Sequence, residues 1–146
     1  MKELEHTQIG DITEYSFVVY CLKHNIPISK PMTNNLPYDF IIDIQGKLLK
    51  VQVKTGYAGK APDTFIFNTK STSKNYSEIT TKYYTGLIDG FITSYSEIPN
   101  KFFYIPIDES AKSAMTLYFG NKPNAKQHSV YEYDFEKMCD TDVKVA

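Results

Sequence analysis

Arginine is absent: all 16 basic residues of the 146 are lysine. That removes the bidentate grip of a guanidinium on a guanine edge, the commonest specific base contact. Long apolar runs are missing too. None approaches the ~18 residues that a membrane span needs, so no membrane role is expected. Cysteine occurs twice, as Cys21 and Cys139, without C-x-x-C spacing and without a neighbouring His or Cys. A zinc site and a disulfide framework are therefore set aside, and both thiols read as reduced packing residues. No repeat, low-complexity tract or Gly/Pro-rich linker divides the chain, and domains of ~100–150 residues are the ordinary size for one core. One domain spanning 1–146 is expected. The segment MKELEHTQIGDITEY carries charges where a signal peptide would need its apolar core, so the cytoplasm is the expected compartment.

Charge is scarce in sum but not in distribution. The formal net charge is −1, which by itself argues against a partner made of phosphates. Residues 44–82 nevertheless hold seven lysines against Asp63 and Glu78, while the segments before and after are each acidic. Such asymmetry permits a basic surface on one side of a nearly neutral molecule.

Periodicity supplies the elements. From His6 to Asn25 the apolar residues Ile9, Ile12, Tyr15, Val18, Val19 and Leu22 recur at three- and four-residue steps, the mark of an amphipathic helix that Pro27 then stops. Residues 38–44, 47–54 and 64–69 read as strands, as do GFITSY, KFFYIP and MTLYF. The polar stretch KSTSKNYSEITTKYY reads as a long connection or short helix, DESAKSA as one or two helical turns, and the tail HSVYEYDFEKM is ambiguous. Together these give an α/β (α+β) sandwich, one N-terminal helix packed on a mixed, mostly antiparallel sheet with short flanking helices.

With Gln45-Gly46 as the central pair of a tight hairpin, Asp39 falls directly across from Gln52, and Lys54 shares their face. Phe40, Ile42 and Ile44 against Leu49, Val51 and Val53 form the opposite, apolar face, which is the core side. A carboxylate, an amide and an ammonium thus gather at one end of the polar face. On the helix, at about 100° per residue, Glu14 lies beside Phe17, Val18 and Cys21, on the side that packs on the sheet. A carboxylate there needs a partner, such as a cation or Lys54, or its pKa must rise. Asp43, on the same face as Asp39, reads as structural.

The order Glu14, Pro37-Tyr38-Asp39, Gln52-Val53-Lys54 resembles the PD-(D/E)xK nuclease superfamily. More narrowly, GDITEYSFVVYCLKHN, NNLPYDFIIDIQGKLLKVQVKTG and FIFNTKS are similar to the bacterial group I intron-encoded homing endonucleases of that superfamily, in which Gln commonly takes the place of the second acid, as at Gln52. The resemblance implies a restriction-endonuclease-like core and metal-dependent hydrolysis of DNA phosphodiesters. Asp39 is then the central ligand of Mg²⁺ or Mn²⁺, aided by the Gln52 side-chain oxygen and the Val53 main-chain carbonyl, with Glu14 acting directly or through water. Lys54 orients the attacking water and neutralises the phosphate. Double-stranded DNA is the implied partner, with the chain nucleoid-associated when bound to it. The candidate contacts are Asn34, Asn35, Lys60, Asn68, Lys70, Ser71, Ser73, Lys74, Asn75 and Tyr76. Cutting both strands with one site per chain implies a homodimer or homotetramer, for which Tyr131, Tyr133 and Phe135 are candidate contacts, with core packing as their other reading. A junction resolvase, a restriction- or defence-type nuclease, and a catalytically idle DNA-binding module of the same fold are the alternatives.

Overall fold

The computed structural model describes residues 2–75 and 78–140. Helix α1 (His6–Lys23) opens the chain, its first turn closed where the Glu5 N–H donates to Gln8 Oε1 at 2.8 Å. It ends as expected before Pro27, with Asn25 taking the left-handed backbone that stops a helix. Strand β1 (Ile28–Ser29) then pairs with β2 (Phe40–Ile44), and β2 with β3 (Lys47–Thr55), both antiparallel. Gln45 and Gly46 both have positive φ, 54° and 89°, so the predicted tight turn is there and the register follows from it: Phe40 pairs with Val51 and Ile42 with Leu49.

β3 runs parallel to β8 (Gly90–Ser94), and β9 (Phe103–Pro106) completes a sheet of order β1-β2-β3-β8-β9. A second sheet, β11-β10-β5-β4, is built from β4 (Tyr57–Ala58), β5 (Thr64–Asn68), β10 (Ala114–Tyr118) and β11 (His128–Ser129). Gly56 is the crossing point between the two sheets. Its N–H donates to the Ser94 carbonyl at 2.8 Å, and a Cβ there would lie 2.7 Å from that same oxygen and 2.6 Å from the Phe65 ring.

Alternation along the central strands divides the core in two. Phe40, Ile42, Val51, Val53 and Ile92 face α1 and close on Phe17 and Cys21. Phe91, Phe103 and Ile105 face the second sheet and close on Phe65, Phe67 and Leu117. The molecule is therefore layered as helix, sheet, sheet, which agrees with the mixed, mostly antiparallel architecture expected.

One expectation is overturned and three are made definite. The polar stretch after β5 is neither a connection nor a helix: β6 (Lys70–Asn75) and β7 (Glu78–Tyr83) form a two-stranded antiparallel ribbon separate from both sheets. Its Ser, Thr and Lys residues lack an apolar face, so hydrophobic alternation gave no strand signal. The helical run after Pro106 is a single 3₁₀ turn, Ile107–Glu109. The ambiguous tail gives a 3₁₀ turn, Val130–Glu132, and the short helix α2 (Phe135–Asp140), and it buries Tyr133 and Phe135 in the core, which leaves Tyr131 exposed among the three proposed interface residues. Finally, α1 packs on the sheet from the expected side, through Thr13, Phe17 and Cys21, whereas Ile12, Tyr15, Val19 and Leu22 from the apolar repeat point outward.

Candidate active site

β2 begins one residue after Asp39, so Asp39 stands where the β2–β3 ladder ends. Its N–H still donates to the Val51 carbonyl at 2.9 Å, and its Oδ2 accepts the Val53 N–H at 2.8 Å. The carboxyl thereby takes the place that another backbone carbonyl would fill, and it is held in the sheet end with one oxygen engaged.

α1 is fixed against the same spot. Thr13 Oγ1 and Thr55 Oγ1 are 2.7 Å apart, and Thr13 Oγ1 also donates to the Ile9 carbonyl at 3.1 Å, which locks the helix to the end of β3. Glu14, the next residue, meets Asp39 carboxyl to carboxyl. Burial, then the charge of Asp39, raises the Glu14 pKa to about 7. Burial also raises that of Asp39, although the Val53 N–H, Glu14, Lys54 and Lys30 pull the other way. The pair therefore shares a proton near neutrality, carried by Glu14 and donated to Asp39.

Lys54 is half-buried one residue beyond Val53. Its Nζ donates to the Tyr84 hydroxyl at 3.3 Å and lies 5.0 Å from the centre of that ring. Its charge acts on Asp39, while the positive charge that acts on Glu14 comes from Lys30. Sequence reasoning had Lys54 as one partner for Glu14; that role falls to Asp39. Gln52, half-buried, alternates with Val51 and Val53 and so faces the second sheet, level with Phe91 in the parallel register. Asp43 is structural as expected, its Oδ1 accepting the Gly46 N–H at 2.7 Å.

Two neighbours were missed. Tyr84 follows the ribbon, and its signal was drowned in the polar run before it. Lys30 sits in a loop-like KPMTNN segment whose approach to α1 is a tertiary event.

The DNA-contact candidates separate by place. Asn34 and Asn35 are exposed in the loop before β2, Lys60 in the turn before β5 and Asn68 at the end of β5. Lys70, Ser71, Ser73, Lys74 and Asn75 all fall on β6, and Tyr76 lies outside the described residues.

Among the described residues no group of three or more His, Cys, Asp or Glu gathers as a metal site. A two-carboxylate pair that would give up its shared proton to solvent in exchange for a divalent cation is nevertheless a donor set of the right hardness for Mg²⁺ or Mn²⁺, provided neutral oxygens such as those of Gln52 and Val53 complete it.

A helix clamped to the end of a mixed sheet, with acid and lysine delivered by adjoining strands, defines the restriction-endonuclease-like class. Within that class the chain belongs to the PD-(D/E)XK endonuclease family, whose profile matches residues 4–138. Among solved structures it is similar to a bacterial homing endonuclease, I-Ssp6803I, at 25% identity and a TM-score of 0.73, over 90% of this chain and 89% of that one. A search of curated proteins gives no match.

Proposed function

We propose that the chain hydrolyses phosphodiester bonds of double-stranded DNA as a homing-type endonuclease dependent on Mg²⁺ or Mn²⁺, acting in the cytoplasm as a homodimer or homotetramer. The observation that carries this reading is the Glu14–Asp39 carboxyl contact at the sheet end, with Lys54 on the adjoining strand. Asp39, Gln52 and the Val53 carbonyl would hold the ion, with Glu14 joining directly or through water. The ion, when bound, supplies Lewis acidity to the phosphate and to the attacking water. Lys54 is turned by the Tyr84 hydroxyl and ring, and from there it orients that water and neutralises charge developing on the phosphate.

The β6–β7 ribbon supports DNA as the substrate. A two-stranded ribbon fits the major groove, and this one carries Lys70, Lys74 and Lys82 with hydroxyl and amide residues between them. Its base adjoins Tyr84, and through that residue Lys54. A ribbon in the groove therefore brings the phosphate backbone toward the acid pair.

Cleavage of plasmid and varied duplex fragments in Mn²⁺, with calorimetric metal titration alongside, tests the reading. Asp39→Ala is expected to lower both metal affinity, by about 10–100-fold, and cleavage. Lys54→Ala is expected to lower cleavage about 100-fold or more and keep metal affinity, because an ammonium is no ligand. Failure to bind a divalent ion even with DNA present overturns the proposal.

A further inference from the structure

The loop of residues 30–38, between β1 and β2, stands directly beside the acid pair. Ser29 is paired with Ile41, so the chain leaves the sheet edge within two residues of the level of Asp39, and it returns into Asp39 itself. Both ends are held. The Asp39 N–H donates to the Val51 carbonyl at 2.9 Å, and Tyr38 packs on the second core. Between them Pro31 and Pro37 fix their own φ, and Asn35 takes the left-handed backbone, φ 69°, that turns the chain back. On this stiff frame Met32 is 103% exposed and Leu36 42%, with Thr33, Asn34 and Asn35 exposed between them. A long apolar side chain bared at the mouth of a site contributes nothing to the fold, and its surface is left to be buried against a ligand.

We propose that Met32 is a wedge that enters the minor groove beside the scissile phosphate and parts a base step there, with Asn34 and Asn35 on the groove floor. The inference rests on the reading that the chain holds a duplex at the acid pair, and it adds which groove this loop occupies and what it reads. The order β1-β2-β3 sets Asp39 between the start of the loop and Lys54, and Lys54 leads through Tyr84 to the ribbon. Loop and ribbon therefore flank the acid pair from opposite sides. A phosphate seated at the pair has the major groove on one side of its strand and the minor groove on the other. With the ribbon in the major groove, the loop faces the minor one.

The composition of the loop suits that place. Asparagine amides donate to the acceptors that base pairs present on the minor-groove floor, and Met and Leu are among the apolar side chains that proteins drive between base steps. Lys30, at the foot of the loop, is the positive charge that reaches both Glu14 and Asp39, so it meets the backbone on the same side. A wedge reads how easily a step unstacks, and pyrimidine–purine steps unstack most easily. Selectivity of that kind needs no guanidinium, and this chain has none.

Permanganate oxidises thymines where they are unstacked, and the flexible TA, CA and TG steps each place a thymine on one strand or both. The full chain is bound to a pool of random-sequence duplexes in Ca²⁺, the bound fraction is treated with permanganate and sequenced, and cut positions are mapped on the same pool in Mn²⁺. A reactive thymine is expected within a few base pairs of each cut, with TA, CA and TG steps enriched there. Met32→Ala should lose both the reactivity and the enrichment while still binding DNA, and Met32→Leu should keep them. Met32 is fully exposed, so neither change should disturb the fold, and the circular dichroism spectrum checks that. Bound DNA without reactive thymines, reactivity remote from the cuts, or reactivity that survives Met32→Ala overturns the wedge and leaves the nuclease reading standing. Reactivity that depends on Met32 in a pool that Mn²⁺ does not cut upholds the wedge and overturns the nuclease reading. Retention of no duplex overturns both.

Discussion

A carboxyl pair set in a folded protein without a cation is a proton trap, and Glu14 shows it. Its ordinary carboxylate pKa of 4.5 is raised to about 7, first by burial and then by Asp39. A group whose folded pKa exceeds its unfolded one stabilises the fold fully at pH below the unfolded value, and that contribution is lost as pH rises through the folded value. Asp39 is shifted in the same direction. The metal-free protein is accordingly expected to lose thermal stability between about pH 5 and pH 8, and Glu14→Gln, which keeps the contact without the charge, should flatten that slope. Mn²⁺ should bind more tightly as pH rises over the same interval, since binding displaces the shared proton. Differential scanning fluorimetry at fixed ionic strength, with and without Mn²⁺, measures both trends; a Glu14→Gln protein with the unaltered pH slope shows that Glu14 is not the group that titrates.

At the scale of elements, the hairpin was legible in the sequence and the ribbon was not, for a physical reason. Gln45-Gly46 accepts positive φ at both positions, and once the turn is set, a one-residue slip would move every apolar side chain to the wrong face. Asp39, Gln52 and Lys54 follow from that register, although the Asp39 carboxyl bends into the sheet end to take the Val53 N–H, which no pattern of faces announces. The sequence places Phe17, Val18 and Cys21 on the side that meets the sheet, but a second apolar stripe, Ile12, Tyr15, Val19 and Leu22, competes for that place, and the question is which one packs. Phe17, fully buried and in ring contact with Phe40, Phe102 and Phe135, answers that question. Phe17→Ala is expected to cost about 3–5 kcal/mol. Leu22→Ala, from the exposed stripe, should cost under about 1 kcal/mol in a fully dissociated chain. Urea denaturation of both at concentrations low enough to exclude association distinguishes the stripes, and equal losses would mean that the helix is packed differently from the arrangement described.

For the whole molecule, the absence of arginine and the net charge of −1 set how DNA is held. Binding strength that comes from phosphates varies with salt, the logarithm of affinity falling with a slope of about −0.9 per phosphate neutralised on duplex DNA. The basic residues between 44 and 82 number seven, and Lys54 is turned toward Tyr84 within the site. Six are left to meet the backbone, so the slope per chain is expected to be no steeper than about −5, with acidic segments on either side reducing non-specific affinity further. Lys70 and Lys74 both belong to ribbon strand β6 and are expected to touch the same stretch of duplex. Changing both to Gln removes two of the six charges. The slope should become shallower by about two units, and affinity should fall by a similar factor on every sequence tested, because lysine placed on phosphate positions the protein without reading bases. Fluorescence anisotropy across a salt series, on one duplex containing a cleaved site and one without, reads both quantities. An unchanged slope would move the DNA off the ribbon and onto another face of the molecule.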